Sequence, residues 1–383
     1  VRVSHARLIV LVVVLTISFL AIIVQLVRYQ VVEHNAIVAI AEGQRRETLK
    51  LSSPRGLIYD INGQCLAMNM TQWDVSVSPS LVFEKEEMAD ELSPLLGLPR
   101  DEIYALLTSG QTWSWLKRYV PQDTGEAVRD LQASGLSCDP VHKRVYPNGV
   151  LFAHIVGIVT LMGDGFYGVE GYHNQVLSGS EGQEEIEHDS GGAPIPLPPE
   201  EQSPPQVGTS LVLTVDSNIQ YFAEQELHKA LQEYGAASGT VLIMNPKTGA
   251  ILADVSFPAY DPNSFVETDL KLLADPSVSS MWEPGSIFKI ITWAIGLDTG
   301  TISPGTTFYD DGRLEVGGRI IRNWDRQGHG LVTMRDGLVE SLNTVAAFVS
   351  TSVGKDDFYQ YLRRFGFGSL TNVDLASEGP GMV

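Results

Sequence analysis

The segment that decides the fold is EPGSIFKIITWAIGLD, residues 283–298, in which a Pro-Gly turn leads into a strongly apolar predicted helix. Ser286 and Lys289 are three positions apart, so they lie on the same face of that helix. A serine hydroxyl is a poor nucleophile at neutral pH unless a base lies within hydrogen-bond distance, and a lysine in apolar surroundings can act as that base. The N–H groups of the helix N-terminus also favour developing negative charge. The segment therefore predicts a serine nucleophile with a lysine general base.

Ser-x-x-Lys is a weak motif by itself, because chance supplies it often. The chain has a second copy, Ser114 to Lys117, in an aromatic-rich stretch without a Pro-Gly turn, and we interpret that copy as structural. Ser341-Leu342-Asn343 follows Ser286 by 55 positions (341 − 286). Penicillin-recognising serine enzymes combine Ser-x-x-Lys with a motif of this type and with Lys-Thr-Gly. In that scheme Ser341 relays a proton to the leaving amine, and Asn343 positions the lysine and the substrate amide.

Lys247-Thr248-Gly249 matches the third motif by letters but precedes Ser286 in the chain. The three residues fall in the turn of a β-hairpin predicted from the apolar runs 240–244 and 251–255, so we assign them no catalytic role. No Lys-Thr-Gly follows Asn343. We therefore expect the catalytic domain to be C-terminally incomplete in this chain, ending before the strand that carries the third motif.

Residues 8–27, LIVLVVVLTISFLAIIVQLV, carry no charge over 20 residues. As a helix they extend about 30 Å, the thickness of a bilayer core. A cleaved signal peptide is the alternative, but its apolar region runs only about 7–15 residues and ends near a small-residue site. Ala39-Ile40-Ala41 lies well past the apolar run, so we expect an uncleaved anchor. Arginines stand on both sides of the run, and the positive-inside rule gives no orientation.

The composition limits the classes of ligand. The formal net charge is -20, from 46 acidic and 26 basic residues, which gives no broad attraction to nucleic acid. Cys65 and Cys138 are too few for a disulfide scaffold, although a single disulfide stays open. The cysteines and histidines show no metal-ligand spacing, so we predict no metal site.

Between the anchor and the catalytic segment the pattern is mixed. Asn62-Gly63 predicts a hairpin turn, and short helices are predicted at 84–92 and 101–107, with Pro94 and Pro99 marking a boundary between them. The Gly-, Glu- and Pro-rich stretch 179–208 has the composition of a linker but is also compatible with edge strands.

From residue 206 onwards the predicted elements are clearer. A strand is predicted at 211–215, followed by a helix that Asp216 caps. A later helix is predicted from Val332 or Met334 to Val353.

Taken together, these motifs give the chain a specific resemblance to the class B, monofunctional penicillin-binding proteins, which are peptidoglycan D,D-transpeptidases. The segments that carry the resemblance are Arg55 to Asp60 with Asn62-Gly63 and Leu66-Ala67, Arg144 to Pro147 with His154 to Gly157, Gly168 to Gly171 with Leu177 to Gly179, Leu213 to Asp216 with Gln220, and Glu283 to Lys289. The chain departs from the family pattern at Ile61, where a basic residue is usual, and at Ile287, where threonine is more common.

The resemblance implies an α+β protein with a single N-terminal transmembrane helix, an elongated pedestal domain of the dimerisation type, and a transpeptidase domain in which helices flank an antiparallel sheet. The corresponding boundaries are 1–7 for a cytoplasmic tail, 8–27 for the helix, 28–205 for the pedestal and 206–383 for a partial transpeptidase domain. The catalytic domain is then extracytoplasmic. The resemblance also implies stem peptides ending in D-Ala-D-Ala as substrates, acylation by β-lactams, and a polytopic wall glycosyltransferase as partner, because 28–205 has no room for a glycosyltransferase domain.

Other functions stay open from the sequence. A D,D-carboxypeptidase or a serine β-lactamase uses water in place of the acceptor amine, but such enzymes usually lack the pedestal motifs. A β-lactam sensor or a catalytically inactive scaffold of the wall-synthesis complex is a different class, and the absent third motif leaves it open. The sequence distinguishes neither division from elongation or sporulation nor the acceptor residue of the stem peptide.

Overall fold

The computed structural model describes residues 5–34, 46–51, 53–188, 194–196 and 202–383. The helices in chain order are α1 (His5–Val27), α2 (Lys85–Leu96), α3 (Arg100–Leu107), α4 (Gln122–Asp130), α5 (Ala153–Val156), α6 (Gly168–Tyr172), α7 (Asn174–Ser178), α8 (Ser217–Tyr234), α9 (Pro276–Ser279), α10 (Lys289–Asp298), α11 (Met334–Val339), α12 (Asn343–Val353) and α13 (Lys355–Arg364).

The strands, again in chain order, are β1 (Arg46–Leu51), β2 (Ile58–Tyr59), β3 (Cys65–Val77), β4 (Ser114–Val120), β5 (Leu136–Val145), β6 (Ile158–Val159), β7 (Gly165–Phe166), β8 (Gly182–His188), β9 (Pro194–Pro196), β10 (Gln202–Ser203), β11 (Leu211–Val212), β12 (Gly239–Met244), β13 (Ile251–Phe257), β14 (Thr307–Asp310), β15 (Arg313–Val316), β16 (Arg319–Arg322) and β17 (Gly330–Thr333). The mixture of helix and sheet confirms the predicted α+β class. The chain divides into a first unit of Val1–Leu57, Met68–Val145 and Gln175–Leu211 and a second unit of Ile58–Ala67, Tyr146–Asn174 and Val212–Val383.

The N-terminal helix α1 continues into a short π-helical turn, Arg28–Val32. Ile9–Val32 is long and apolar enough to be a candidate membrane span. Two of its hydroxyl groups are bonded within the helix, since the Thr16 hydroxyl donates to the Val12 carbonyl at 2.8 Å and the Ser18 hydroxyl donates to the Val14 carbonyl at 2.9 Å. Such internal bonding is what a hydrocarbon environment requires of polar groups.

The core of the first unit lies between a sheet and helices. From Met68 onwards β3 pairs antiparallel with β4 and with β5. The apolar faces of α2, α3 and α4 bury residues such as Leu92, Ile103 and Val128 with Val75 of the sheet. The boundary predicted at Pro94 is wrong, because that residue lies inside α2. A proline removes only one helical N–H, and the helix continues to Gly97, whose left-handed φ of 62° provides the C-cap.

The Gly- and Pro-rich stretch contributes strands to the same unit. β8 pairs antiparallel with β1, and β9 and β10 pair with β8. The edge-strand interpretation of this composition therefore holds for its described residues.

In the second unit, α8 packs on the hairpin of β12 and β13 through Ala223, Leu227 and Leu231. The Asp216 side chain accepts from the N–H groups of Asn218 and Ile219, which confirms the predicted cap. The strand predicted at 211–215 is shorter, covering Leu211–Val212. A turn of a second hairpin, between β2 and β3, contains Asn62-Gly63 as predicted.

The later helix predicted to reach Val353 is wrong as a single element, since it is two helices, α11 and α12. Ser341 lies between them with a φ of +55°. A left-handed residue cannot continue a right-handed helix, so the chain changes direction there. Leu342 is fully buried in a cluster with Trp293, Met334 and Val345, and this cluster packs α11 and α12 against α10.

Candidate active site

The predicted nucleophile lies at the start of the apolar helix. Gly285–Phe288 forms a 3-10 turn that runs directly into α10, and Gly285 has a φ of +60°, which favours glycine. Ser286 is exposed, one turn before Lys289. Within the part of the chain that the structure describes, the Ser286 hydroxyl has no hydrogen-bond partner, so it is open to an incoming ligand.

Lys289, by contrast, is buried, with 8% of its surface exposed. Its Nζ donates to the Ser341 carbonyl at 2.6 Å, to Ser341 Oγ at 3.0 Å and to Asn343 Oδ1 at 2.7 Å. These acceptors occupy the three donors of an ammonium group. Burial lowers the pKa of Lys289 from its ordinary value, because removal from water disfavours the charged form. The amine is thus held in a place where it loses a proton more readily than in solution.

The break between α11 and α12 explains how Ser341 and Asn343 reach this amine. The left-handed Ser341 directs both its carbonyl and its hydroxyl to Lys289, while Asn343 opens α12. The Asn343 amide is held at both ends, because Nδ2 donates to the Arg322 carbonyl at 2.9 Å. The structure therefore brings Lys289, Ser341 and Asn343 together, and it places Ser286 one turn away without a hydrogen bond to them.

An open cleft of about 410 Å³ lies beside these residues. Lys289 and Asn343 line it together with Gly285, Phe288 and Ile321. The lining combines polar groups with apolar side chains, which suits a ligand that has both polar and apolar parts.

Sequence reasoning missed Arg322, which contributes only its backbone carbonyl. A backbone acceptor leaves no signal in residue type. It also missed Asn323 and Asp310, which are buried and bonded to Thr344, the residue after Asn343, because neither belongs to a known short motif.

The other motif copies lie elsewhere. Ser114 and Lys117 are in strand β4, where Lys117 Nζ donates to the Leu96 carbonyl. Lys247 to Gly249 form the predicted hairpin turn between β12 and β13. Cys65 and Cys138 are not joined in a disulfide. Among the described residues there is no group of three or more His, Cys, Asp or Glu side chains that could hold a metal ion.

Comparison with known proteins matches two segments of the chain to known domain families. Residues 50–213 match the penicillin-binding protein dimerisation domain, and residues 239–383 match the penicillin-binding protein transpeptidase domain. The fold and the site thus define a transpeptidase-domain protein with a dimerisation domain before it. The chain belongs to the class B penicillin-binding proteins.

Individual relatives agree with this family. The chain is 31% identical over 372 residues to stage V sporulation protein D of Bacillus subtilis, an alignment that covers 96% of the chain and 58% of the relative. It is 29% identical over 403 residues to peptidoglycan D,D-transpeptidase MrdA of Escherichia coli, covering 94% of the chain and 62% of the relative. The chain thus spans about three fifths of the length of these relatives.

Solved structures show the same fold. The complex between penicillin-binding protein PBP2 and MreC from Helicobacter pylori matches with a TM-score of 0.70 at 22% identity, covering 88% of this chain and 69% of that one. At this identity the likeness supports the fold alone.

Proposed function

We propose that the protein is a serine D,D-transpeptidase that cross-links peptidoglycan stem peptides ending in D-Ala-D-Ala. The observation that carries the proposal is the buried Lys289 amine, held by Ser341 and Asn343 one turn after the exposed Ser286. The match to the transpeptidase domain and the names of the relatives support this reaction.

In the proposed reaction Ser286 Oγ attacks the carbonyl carbon of the penultimate D-Ala, and its proton passes to the neutral amine of Lys289. The peptide bond then breaks. The departing D-Ala nitrogen takes up a proton through Ser341 Oγ, which lies 3.0 Å from Lys289 Nζ. The acyl group stays on Ser286 as an ester.

The second half reverses the roles. An amine from a neighbouring stem peptide attacks the ester carbon and loses a proton through Ser341 to Lys289. The bond between the acyl carbon and Ser286 Oγ breaks, Lys289 returns the proton to Ser286 Oγ, and the new peptide cross-link is released. Asn343 donates to or accepts from the substrate amide while keeping the lysine in place. The reaction balances without a cofactor.

The same proposal includes the location and the partners. The candidate span of α1 anchors the chain with the residues before it in the cytoplasm and with residues 28–205, the pedestal, and 206–383, the transpeptidase domain, outside. The PBP2 neighbour was solved in complex with MreC. A polytopic wall glycosyltransferase is the proposed partner, because the transpeptidase reaction cross-links strands but does not polymerise them.

The test is the intact mass of the protein, expressed from its complete reading frame, before and after benzylpenicillin. β-Lactams resemble the D-Ala-D-Ala end, so we expect a gain of one penicillin mass that is absent in Ser286→Ala. No gain in the folded wild-type protein contradicts the catalytic assignment and favours a scaffold.

The fate of the adduct separates the remaining alternatives. Exchange of D-Ala for an acceptor amine on a pentapeptide supports transpeptidation. Release of the adduct by water within minutes supports a β-lactamase, and a stable adduct without D-Ala exchange supports a sensor.

A further inference from the structure

A buried polar cluster lies directly behind the Ser341-Leu342-Asn343 motif. Asp310 ends strand β14, Asn323 follows strand β16, and Thr344 is the residue after Asn343 in α12. Their exposed fractions are 1%, 2% and 0%. Burying a carboxylate, an amide and a hydroxyl costs free energy unless each is hydrogen-bonded, so each of these groups is expected to have partners. We call these three residues the support cluster.

The carboxylate of Asp310 is satisfied by neutral donors. It accepts from Asn323 Nδ2 at 2.7 Å, from Thr344 Oγ1 at 2.9 Å, and from the backbone N–H groups of Gly312 at 2.9 Å and His329 at 3.2 Å. Among the described residues Asp310 has no ion pair. Its charge is held entirely by oriented dipoles, which fix the directions of its partners.

Asn323 and Thr344 connect the cluster to the start of α12. The backbone N–H of Thr344, which has no partner within the helix, donates to Asn323 Oδ1 at 3.2 Å. The Thr344 hydroxyl also lies 3.0 Å from that oxygen. Asn343 and Arg322, which precede Thr344 and Asn323 in the chain, are also bonded to each other, because Asn343 Nδ2 donates to the Arg322 carbonyl. Two consecutive residues at the start of α12 are thus tied to two consecutive residues at the end of β16 and just after it.

We propose that Asp310, Asn323 and Thr344 are positioning residues that aim Asn343 and Ser341 at the Lys289 amine. The inference rests on the proposed function and names side chains that act through other groups, without contact to the reacting atoms. Ser341 adopts a left-handed backbone conformation that is costly for serine, and we infer that the support cluster maintains it. The support cluster fixes the positions of the Ser341 and Asn343 acceptors, and these acceptors determine where the Lys289 amine lies and how well it is shielded from water.

The test compares three variants of the full chain. Thr344→Val keeps the shape of the buried side chain but removes the hydroxyl, whereas Thr344→Ser retains it. Ser256→Ala removes another buried hydroxyl of the same unit, one that bonds to Asp275 at 3.2 Å, and serves as the stability control. Two quantities are measured: the pKa of Lys289, by NMR of ¹³C-labelled lysine assigned with Lys289→Gln, and the rate of acylation by a fluorescent penicillin.

In Thr344→Val we expect the pKa of Lys289 to rise towards its ordinary value, because a loosened amine regains water. Acylation then slows by about 10- to 100-fold, as expected for a small displacement of a catalytic group. Thr344→Ser and Ser256→Ala retain the wild-type titration and rate.

The inference is overturned if Thr344→Val loses thermal stability while Lys289 titrates as in the wild type, because the cluster is then only structural. If Thr344→Val does not fold, Asp310→Asn, which keeps the volume and removes the charge, is measured in the same way. Failure of the proposed function is a separate result: the wild-type protein is not acylated, and the Lys289 titration still decides the positioning role.

Discussion

Lys289 and Asp254 are both buried ionisable residues, but their surroundings act on them differently. Lys289 donates to neutral acceptors and retains an open cleft beside it. Asp254, on β13, faces the second buried acid Asp275, which caps α9. Ser277 Oγ donates to Asp254 at 2.6 Å, and Ser256 Oγ donates to Asp275. Burial, together with the charge of Asp275, raises the pKa of Asp254 to about 7.

This acid pair predicts that stability falls as the pH rises through 7. An unfolded aspartate has a pKa of about 3.9, so near neutral pH the folded state binds more protons than the unfolded state. The stabilisation is complete below about pH 4, declines as the unfolded aspartate ionises, and is gone once Asp254 has ionised above pH 7; between pH 6 and pH 8 the loss is about 1.4 kcal/mol. Thermal unfolding across this range measures it.

Asp254→Asn removes the ionisation and is expected to abolish this slope, since the amide can donate to Asp275 at every pH. The exposed Asp101→Asn is the control and retains the slope. His154, beside the pair, has its pKa lowered mainly by burial. An unchanged slope in Asp254→Asn assigns the pH dependence to another group.

The junction of α11 and α12 depends on close contact between the two helices. Gly337 in α11 faces Val345 in α12, and a Cβ atom at Gly337 would lie 2.5 Å from Val345 Cγ1. Gly→Ala in a helix usually stabilises by about 0.5–1 kcal/mol. Here we expect the opposite sign, a loss of about 1–3 kcal/mol of unfolding free energy, because the added methyl group overfills the interface.

Denaturant unfolding checks this, with Gly305→Ala as the matched control. A Cβ at Gly305 meets no atom within 4 Å, so its stability should be unchanged or slightly higher. Equal effects of the two substitutions would show that α11 and α12 are not packed this closely.

The same junction shows what the sequence was able to predict. The Asp216 cap, the β12–β13 hairpin and the apolar α10 were predictable because local patterns encode them. The break at Ser341 was not, since the segment has neither a proline nor a glycine at that position, and the left-handed serine is held by contacts that form only on folding, among them those with Lys289, 52 residues away. For the same reason the support cluster was invisible, because Asp310, Asn323 and Thr344 become neighbours only in the folded chain.

Over the whole chain, charge and apolar character are separated. The uncharged apolar run lies in the candidate span near the N-terminus, while all 46 acidic residues lie C-terminal to that span. A large acidic region can face water on either side of a bilayer, so the acidic charge does not determine the orientation of the span. Arginines flank the span on both sides and do not determine it either. The proposed substrate decides between the two orientations, because stem peptides are cross-linked outside the membrane.

We therefore predict that protease added to intact spheroplasts digests the protein down to its membrane-inserted segment. The exposed loops of both units offer cleavage sites to a protease on the outer side. Immunoblotting of an epitope placed at the C-terminus measures the digestion, and a cytoplasmic marker protein that survives shows that the spheroplasts stayed sealed.

Digestion that requires detergent would place Ser286 in the cytoplasm, where no cross-linking substrate is available, and would contradict the proposed function even if penicillin acylated the purified protein. Because topology and chemistry are tested on different preparations, agreement between them supports the transpeptidase assignment more strongly than either result alone.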